Sequence, residues 1–175
     1  RRSAGHSVEL RWCNETKAPG LHFLHNVSLV RNRSHGLPAV THFSANINRI
    51  ALLRNSRDNG LPDLVACARI VLEAGADGIT VHLRPDERHI RASDMQPIAA
   101  LVREFPDAEF NVEGNPHHNL VTIVESLVAA NLAPQQVTLV PDALNVPTSN
   151  RGFAAGAEMD AVQPLIAHFK AMGTR

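Results

Sequence analysis

Two short β-rich runs carry ionisable residues at or near their ends. His82 lies near the end of GITVHLR (78–84), and Glu113 ends EFNVE (109–113). A second histidine, His89, lies in the loop that follows His82, which is not the spacing of two metal ligands on one helix. A histidine at a strand end and another in the next loop suit an acid/base group and a phosphate contact. These residues therefore favour an acid/base site over a metal site.

Polar residues alternate with apolar residues in three of the predicted strands. Because successive side chains of a strand point to opposite faces, one face should be apolar and pack against helices, and the other polar. The expected polar face consists of Ser44, Asn46, Asn48, Thr80, His82, Arg84, Asn111 and Glu113, and the apolar face of Phe43, Ala45, Ile47, Ile79, Val81, Leu83, Phe110 and Val112. Burying polar groups without partners is costly, so their convergence suggests a functional site. The alternative is that they satisfy one another in a structural network.

The β-rich runs alternate with stretches of helical character, which predicts parallel βαβ units. Strands are predicted at 43–47, 78–83, 109–113 and 136–141, and helices at 61–75, from Ser93 onward, at 119–130 and at 157–172. Helix residues expected in the core are Val65, Ile70, Leu72, Leu101, Val102, Ile123, Val124, Leu127 and Leu165. The strand spacing fits a (β/α)8 barrel or a doubly wound sheet, and spacing alone does not separate them.

Composition limits the kind of partner and compartment. The 175 residues include 17 Lys and Arg and 17 Asp and Glu, so the chain has no net charge that would attract nucleic acid or an anionic membrane. The two cysteines, Cys13 and Cys67, form no disulfide framework, which favours a reducing compartment and hence the cytoplasm. No Walker or GxGxxG motif and no HExxH motif occurs, and the adjacent His117 and His118 are expected to lie on the surface.

Residues 1–40 differ from the rest in composition and show no sustained period. They carry six Lys and Arg against Glu9 and Glu15, and we expect a poorly ordered extension. A transit peptide and upstream sequence translated ahead of the true start are the two alternatives. The globular domain is expected to span residues 41–175.

Five segments together resemble one enzyme family, that of pyridoxine 5′-phosphate synthase. They are ANINRIALLRNSR (45–57), GADGITVHLRPDERHI (75–90), FNVEGNP (110–116), LVPD (139–142) and PTSNRGF (147–153). The resemblance implies a (β/α)8 TIM barrel, of which about the first four βα units are present. It further implies that 1-deoxy-D-xylulose 5-phosphate condenses with 3-amino-2-oxopropyl phosphate to give pyridoxine 5′-phosphate, phosphate and water. No redox cofactor or pyridoxal phosphate is expected, and the full-length family members form homo-oligomers.

The resemblance also assigns roles to single residues. It implies proton transfer by His82 and Glu113, and substrate binding by Asn46, Asn48, Arg49, Arg57, Arg84, His89 and Thr148. Within that set, Arg84, His89 and Thr148 match positions for the deoxyxylulose phosphate, and Asn46 and Arg57 match positions for the aminoketone phosphate. Asn48 and Arg49 depart from the Asp-His pair that is commonest in the family. Both residues are polar, like the pair that they replace, but the carboxylate of the family's aspartate is lost.

Two other functions are compatible with a barrel-like pattern. A phosphosugar aldolase or isomerase would need a Schiff-base lysine on a strand end, but the lysines are Lys17 and Lys170. A non-catalytic fragment that binds an anionic metabolite or another subunit is the other alternative. The family's third catalytic histidine and its glycine-rich phosphate loops belong to later strands. We therefore expect the chain to be inactive on its own.

Overall fold

The structure is a computed structural model and describes residues 41–57, 59–143 and 146–175. The expectation of a disordered extension at 1–40 lies outside these residues. In chain order the elements are β1 (Ser44–Asn46), α1 (Asn48–Asn55), α2 (Leu64–Glu73), β2 (Gly78–Leu83), a 3-10 turn (Ala92–Asp94), α3 (Met95–Arg103), β3 (Glu109–Gly114), α4 (Leu120–Ala129), β4 (Gln136–Leu139) and α5 (Ala157–Ala171).

The strands form one parallel sheet in the order β1-β2-β3-β4. Helices lie between consecutive strands, so the predicted βαβ alternation is confirmed. Since the strands run in the same direction, their carboxyl ends lie along one edge of the sheet. His82 is in register with Glu113, and both residues are one position before the end of their strands. The fold therefore brings these two side chains next to each other on one face.

The other face of the sheet carries the hydrophobic core. Ile79, Val81 and Leu83 of β2 are fully buried, and so is Val112 of β3. The predicted parity of β2 and β3 is therefore confirmed. Helix residues that complete the same core include Leu64, Ala68, Leu72, Ile98, Leu101, Val102, Leu120, Val124 and Leu127, with Ile123 and Leu165 partly buried beside them.

Two predicted core residues are exposed instead. Ile70 is 64% exposed because the buried positions of α2 are Leu64, Ala68 and Leu72, at four-residue intervals. A residue two positions from Ala68 lies on the opposite side of the helix. Phe43 is 65% exposed and precedes the first residue of β1, so the prediction that it packs against helices on the apolar face was wrong.

Helix α1 follows β1 directly and was not predicted. The Asn46 side chain accepts a hydrogen bond from the Asn48 amide at 2.9 Å, and Ile47 turns inward and is buried. Leu52 and Leu53 of this helix are exposed, so the helix has no clean apolar stripe to reveal it in the sequence. Asn48 therefore begins a helix and does not extend strand one, which corrects its predicted strand parity.

The remaining helices match their predicted positions within a few residues. Asp63 caps α2 by accepting a hydrogen bond from the Ala66 amide at 2.9 Å, and Gly75 follows the helix with φ of 98°. At Gly78, where β2 begins, a Cβ atom would collide with the carbonyl oxygen of Glu109, so only glycine permits this strand spacing. Within the ranges described above, no helix is both long and apolar enough to cross a membrane.

Candidate active site

A cavity of about 650 Å³ opens at the carboxyl ends of the strands. It is lined by Asn46, Asn48, Arg49, Leu52, His82, Arg84, Arg88, His89, Glu113, Val140, Pro147, Thr148, Ser149 and Arg151. With the exception of Arg57, every residue that the sequence resemblance assigned to the site is in this lining. Four of the lining residues are arginines and one is a glutamate, so the cavity favours anions.

Arg57 lies elsewhere. It is exposed just after α1, and its amide donates to the Arg54 carbonyl at 3.4 Å. The structure does not bring its side chain to the lining of the cavity. Its predicted contact with a substrate phosphate stays a prediction.

The polar face of the sheet divides into two levels. At the lower level, hydrogen bonds link one strand to the next: Ser44 Oγ to Thr80 Oγ1 at 2.8 Å, Asn111 Nδ2 to Thr80 Oγ1 at 3.4 Å, and Thr138 Oγ1 to Asn111 Oδ1 at 2.9 Å. At this level the polar side chains provide hydrogen-bond partners for one another. At the upper level, nearer the carboxyl ends, His82 and Glu113 face the cavity. Both the structural network and the candidate site are thus present, on successive levels.

Glu113 lies in a setting that favours its protonated form. Burial raises the pKa of its carboxyl, and the nearby Asp142 carboxylate raises this pKa further, while His82 lowers it. The net pKa shift is upward. Glu113 therefore stays protonated to a higher pH than an exposed glutamate and can act as a proton donor.

His82 is held from both its backbone and its ring. Its amide donates to Asn48 Oδ1 at 2.9 Å, so α1 fixes the end of β2. Its Nε2 atom lies 2.6 Å from Oδ2 of Asp142, and its ring centroid is 5.9 Å from that of His89. The His82 side chain is 9% exposed. His82 therefore contacts a carboxylate and also lines the cavity.

Asp142 is a site residue that the sequence reasoning missed. It is 3% exposed, and besides His82 it lies 3.6 Å from Nη1 of Arg84 and accepts a hydrogen bond from the Ser149 hydroxyl. The segment LVPD was used for the resemblance, but no role was given to its aspartate. Strand parity, which singled out Glu113, does not apply to Asp142, because Asp142 follows the end of β4.

Arg84 and Arg88 hold the segment that carries Thr148. Arg84 donates to the Val146 carbonyl at 2.8 Å and to Ser149 Oγ at 3.2 Å. Arg88 donates to the Pro147 carbonyl at 3.0 Å and pairs with Asp86, whose pKa it lowers by hydrogen bonding. Thr148 itself is exposed and lines the cavity. Both arginines therefore line the cavity and also hold the segment 146–149 by hydrogen bonds.

Metal binding has no obvious site here. In the described part of the chain, no group of three or more His, Cys, Asp or Glu residues is arranged to hold an ion. His117 and His118 are exposed, as expected.

A sequence model of one protein family matches most of the chain. The family is described as pyridoxal phosphate biosynthesis protein PdxJ, and the match covers residues 43–175. The chain belongs to this family. The match includes all five segments on which the resemblance was recognised, and every candidate site residue.

Curated members of the PdxJ family include close relatives of this chain. A pyridoxine 5′-phosphate synthase of Albidiferax ferrireducens is 47% identical over 135 residues, which cover 77% of this chain and 54% of the relative. Enzymes of the same name from Xanthomonas oryzae pv. oryzae and Brucella anthropi are 47% and 46% identical and are covered over 53% and 52% of their lengths. The chain thus spans about half the length of the curated PdxJ relatives that it matches.

Proposed function

We propose that this chain supplies half of the active site of a pyridoxine 5′-phosphate synthase. The reaction would condense 1-deoxy-D-xylulose 5-phosphate with 3-amino-2-oxopropyl phosphate and release phosphate and water. The observation that carries the proposal is the pairing of His82 with Glu113, in register on adjacent strands, at the wall of an arginine-rich cavity. The names of the curated relatives support the same reaction.

We also propose that the sheet is part of a (β/α)8 barrel. Four parallel strands in sequence order, with site residues at their carboxyl ends, are typical of such barrels. The outer edge of β4 supports the continuation of the sheet by a further strand. The Arg175 amide donates to the Gln135 carbonyl at 2.9 Å, and the Val137 amide donates to the Arg175 carbonyl at 3.0 Å. This is the bonding pattern of a further parallel strand beside β4.

The chemistry needs several proton transfers. Imine formation, enolisation, phosphate elimination and ring dehydration each move protons at carbon or oxygen. Glu113, whose pKa is raised by burial, would donate a proton, and His82 would accept one. Arg49 and His89 line the cavity where a substrate phosphate would lie, with Thr148 on the opposing loop. The proposed location is the cytoplasm, and the proposed state of the complete enzyme is a homo-oligomer.

The test is an assay of the complete gene product that contains this chain. With both phosphorylated substrates, pyridoxine 5′-phosphate should form and be detected after chromatography. The variants His82→Asn and Glu113→Gln should each lower kcat by about a hundredfold or more, as expected for the loss of an acid/base group.

Matched controls come from exposed residues of the same types. His118→Asn and Glu73→Gln change residues that lie away from the cavity lining and should leave turnover unchanged. Binding of both substrates without any turnover would instead support the non-catalytic alternative. Normal activity in His82→Asn would contradict the proposed site.

A further inference from the structure

The Asp142 carboxylate is almost fully enclosed and lies directly behind His82, which lines the arginine-rich cavity. Its side chain is 1% exposed. The adjoining backbone is fixed, because the Asp142 carbonyl accepts a hydrogen bond from Asn115 Nδ2 at 2.6 Å. A carboxylate in such a place requires compensating donors or charges. The groups around it are His82, Arg84 and Ser149.

The contact with His82 constrains the histidine ring. Oδ2 of Asp142 and Nε2 of His82 are 2.6 Å apart, although the N–H direction is not aligned with Oδ2 well enough to count as a hydrogen bond. Two atoms that both carry only lone pairs would repel each other at that distance. A proton on Nε2 removes this repulsion, and in the neutral ring Nδ1 is then the basic nitrogen.

We propose that Asp142 is a positioning residue for His82. It holds the ring in the tautomer with Nε2–H, leaves Nδ1 to accept a proton from the substrate, and stabilises the imidazolium that results. This inference rests on the proposed acid/base role of His82. The same arrangement of a buried carboxylate and a histidine recurs in unrelated enzymes, where the carboxylate fixes the tautomer of the base.

Asp142 also connects the base to the loop opposite. Oδ1 accepts the hydrogen bond from Ser149, the residue next to Thr148, and Arg84 bonds to both Ser149 and the Val146 carbonyl. The same carboxylate therefore contacts both His82 and the segment 146–149. A change at Ser149 should loosen this link without removing the charge of Asp142.

The first test needs no variant. In the complete gene product labelled with ¹⁵N, the ring nitrogen shifts of the His82 neutral form should be those of the Nε2–H tautomer, with His82→Asn used to assign the signals. A neutral His82 with Nδ1–H would overturn the proposal. This readout does not depend on turnover, so it separates the failure of the Asp142 proposal from the failure of the proposed reaction.

The second test uses Asp142→Asn. An amide can donate to Nε2, so the ring should change to the Nδ1–H tautomer, and kcat should fall on the order of a hundredfold with little change in KM. Asp142→Glu should restore part of the activity, and Ser149→Ala should show a smaller loss than Asp142→Asn. The matched control is Asp107→Asn, at an exposed position between α3 and β3. Unchanged kcat and tautomer in folded Asp142→Asn would overturn the proposal.

Discussion

The surroundings of His89 favour the neutral form of its ring. Burial, followed by the charges of His82 and Arg84, lowers the pKa of His89 to about 4. Its Nδ1 accepts a hydrogen bond from the Ile90 amide at 2.9 Å, so the neutral ring carries its proton on Nε2. In the proposed site, His89 would therefore meet a substrate as a neutral hydrogen-bond donor, beside the arginines that line the cavity.

This state of His89 can be measured by its titration. Its proton NMR signal, assigned with His89→Gln, should titrate near pH 4, whereas a histidine in an unfolded chain titrates near 6.5. Because folding lowers this pKa, the unfolded chain binds the extra proton between about pH 6.5 and 4. The His89 contribution to stability is thus complete above that range and declines as the pH falls through it. A midpoint above 6 would contradict this account.

At the residue scale, the sequence indicated which residues line the cavity better than it indicated their contacts. Strand parity and the family resemblance identified His82 and Glu113, since both depend on local pattern. Asp142 was missed because its importance comes from a contact across the sheet between β2 and the end of β4, which no local pattern contains. Thr80 and Asn111 belong to the lower network because of their level along the strands, which parity alone does not distinguish.

At the scale of elements, α1 serves as an anchor for the loop that carries His89. Arg54 donates to Asp94 at 2.6 and 2.9 Å and to the His89 carbonyl at 3.2 Å. Asn55 donates to the same carbonyl at 2.8 Å and to that of Arg88 at 3.1 Å. The side chains of Arg54 and Asp94 are only 12% and 13% exposed. This largely enclosed pair therefore links α1, the His89 loop and the turn before α3.

Breaking the anchor should cost stability. Arg54→Met leaves Asp94 buried without its charge partner, and the free energy of unfolding should fall by about 3 kcal/mol. The double variant Arg54→Met with Asp94→Leu should recover part of that loss, because neither charge is then left alone. The measurement is denaturant unfolding of the complete gene product.

An exposed ion pair provides the control for this prediction. Arg69 and Glu104 also join two helices, but their side chains are 41% and 54% exposed. Arg69→Met should therefore cost less than about 1 kcal/mol. Equal losses of unfolding free energy in Arg54→Met and Arg69→Met would show that burial does not determine how much the Arg54–Asp94 pair contributes to stability.

Element prediction from the sequence succeeded where one face of the element is clearly apolar. Strand β2 and helix α3 bury a regular set of residues, and both were located within a few positions. Helix α1 was missed because only Ala51 of its eight residues is buried. Its polar residues serve tertiary contacts, and such contacts leave no periodic signal in the sequence.

At the scale of the whole molecule, the described sheet ends at β1 on one side and at β4 on the other. Strand β1 pairs with β2, and the far side of β4 is bonded at Gln135 and Val137 to Arg175. Unpaired edges of parallel strands invite association with another chain. Phe43, Leu53 and Leu61 add exposed apolar area near β1 and the helices that follow it.

The last prediction is that residues 1–175 expressed alone form no measurable pyridoxine 5′-phosphate from the two substrates. The curated relatives are about twice as long as the matched region, and one parallel sheet of four strands encloses the cavity from one side. Groups from the remaining strands would be needed to hold a second phosphate and to position both reactants. Activity should appear when the second half of the Albidiferax ferrireducens relative is co-expressed with this chain, and should be lost again when this chain carries His82→Asn. Turnover by the isolated chain equal to that of the intact relative would show that one half-barrel suffices, and would contradict both the barrel and the shared site.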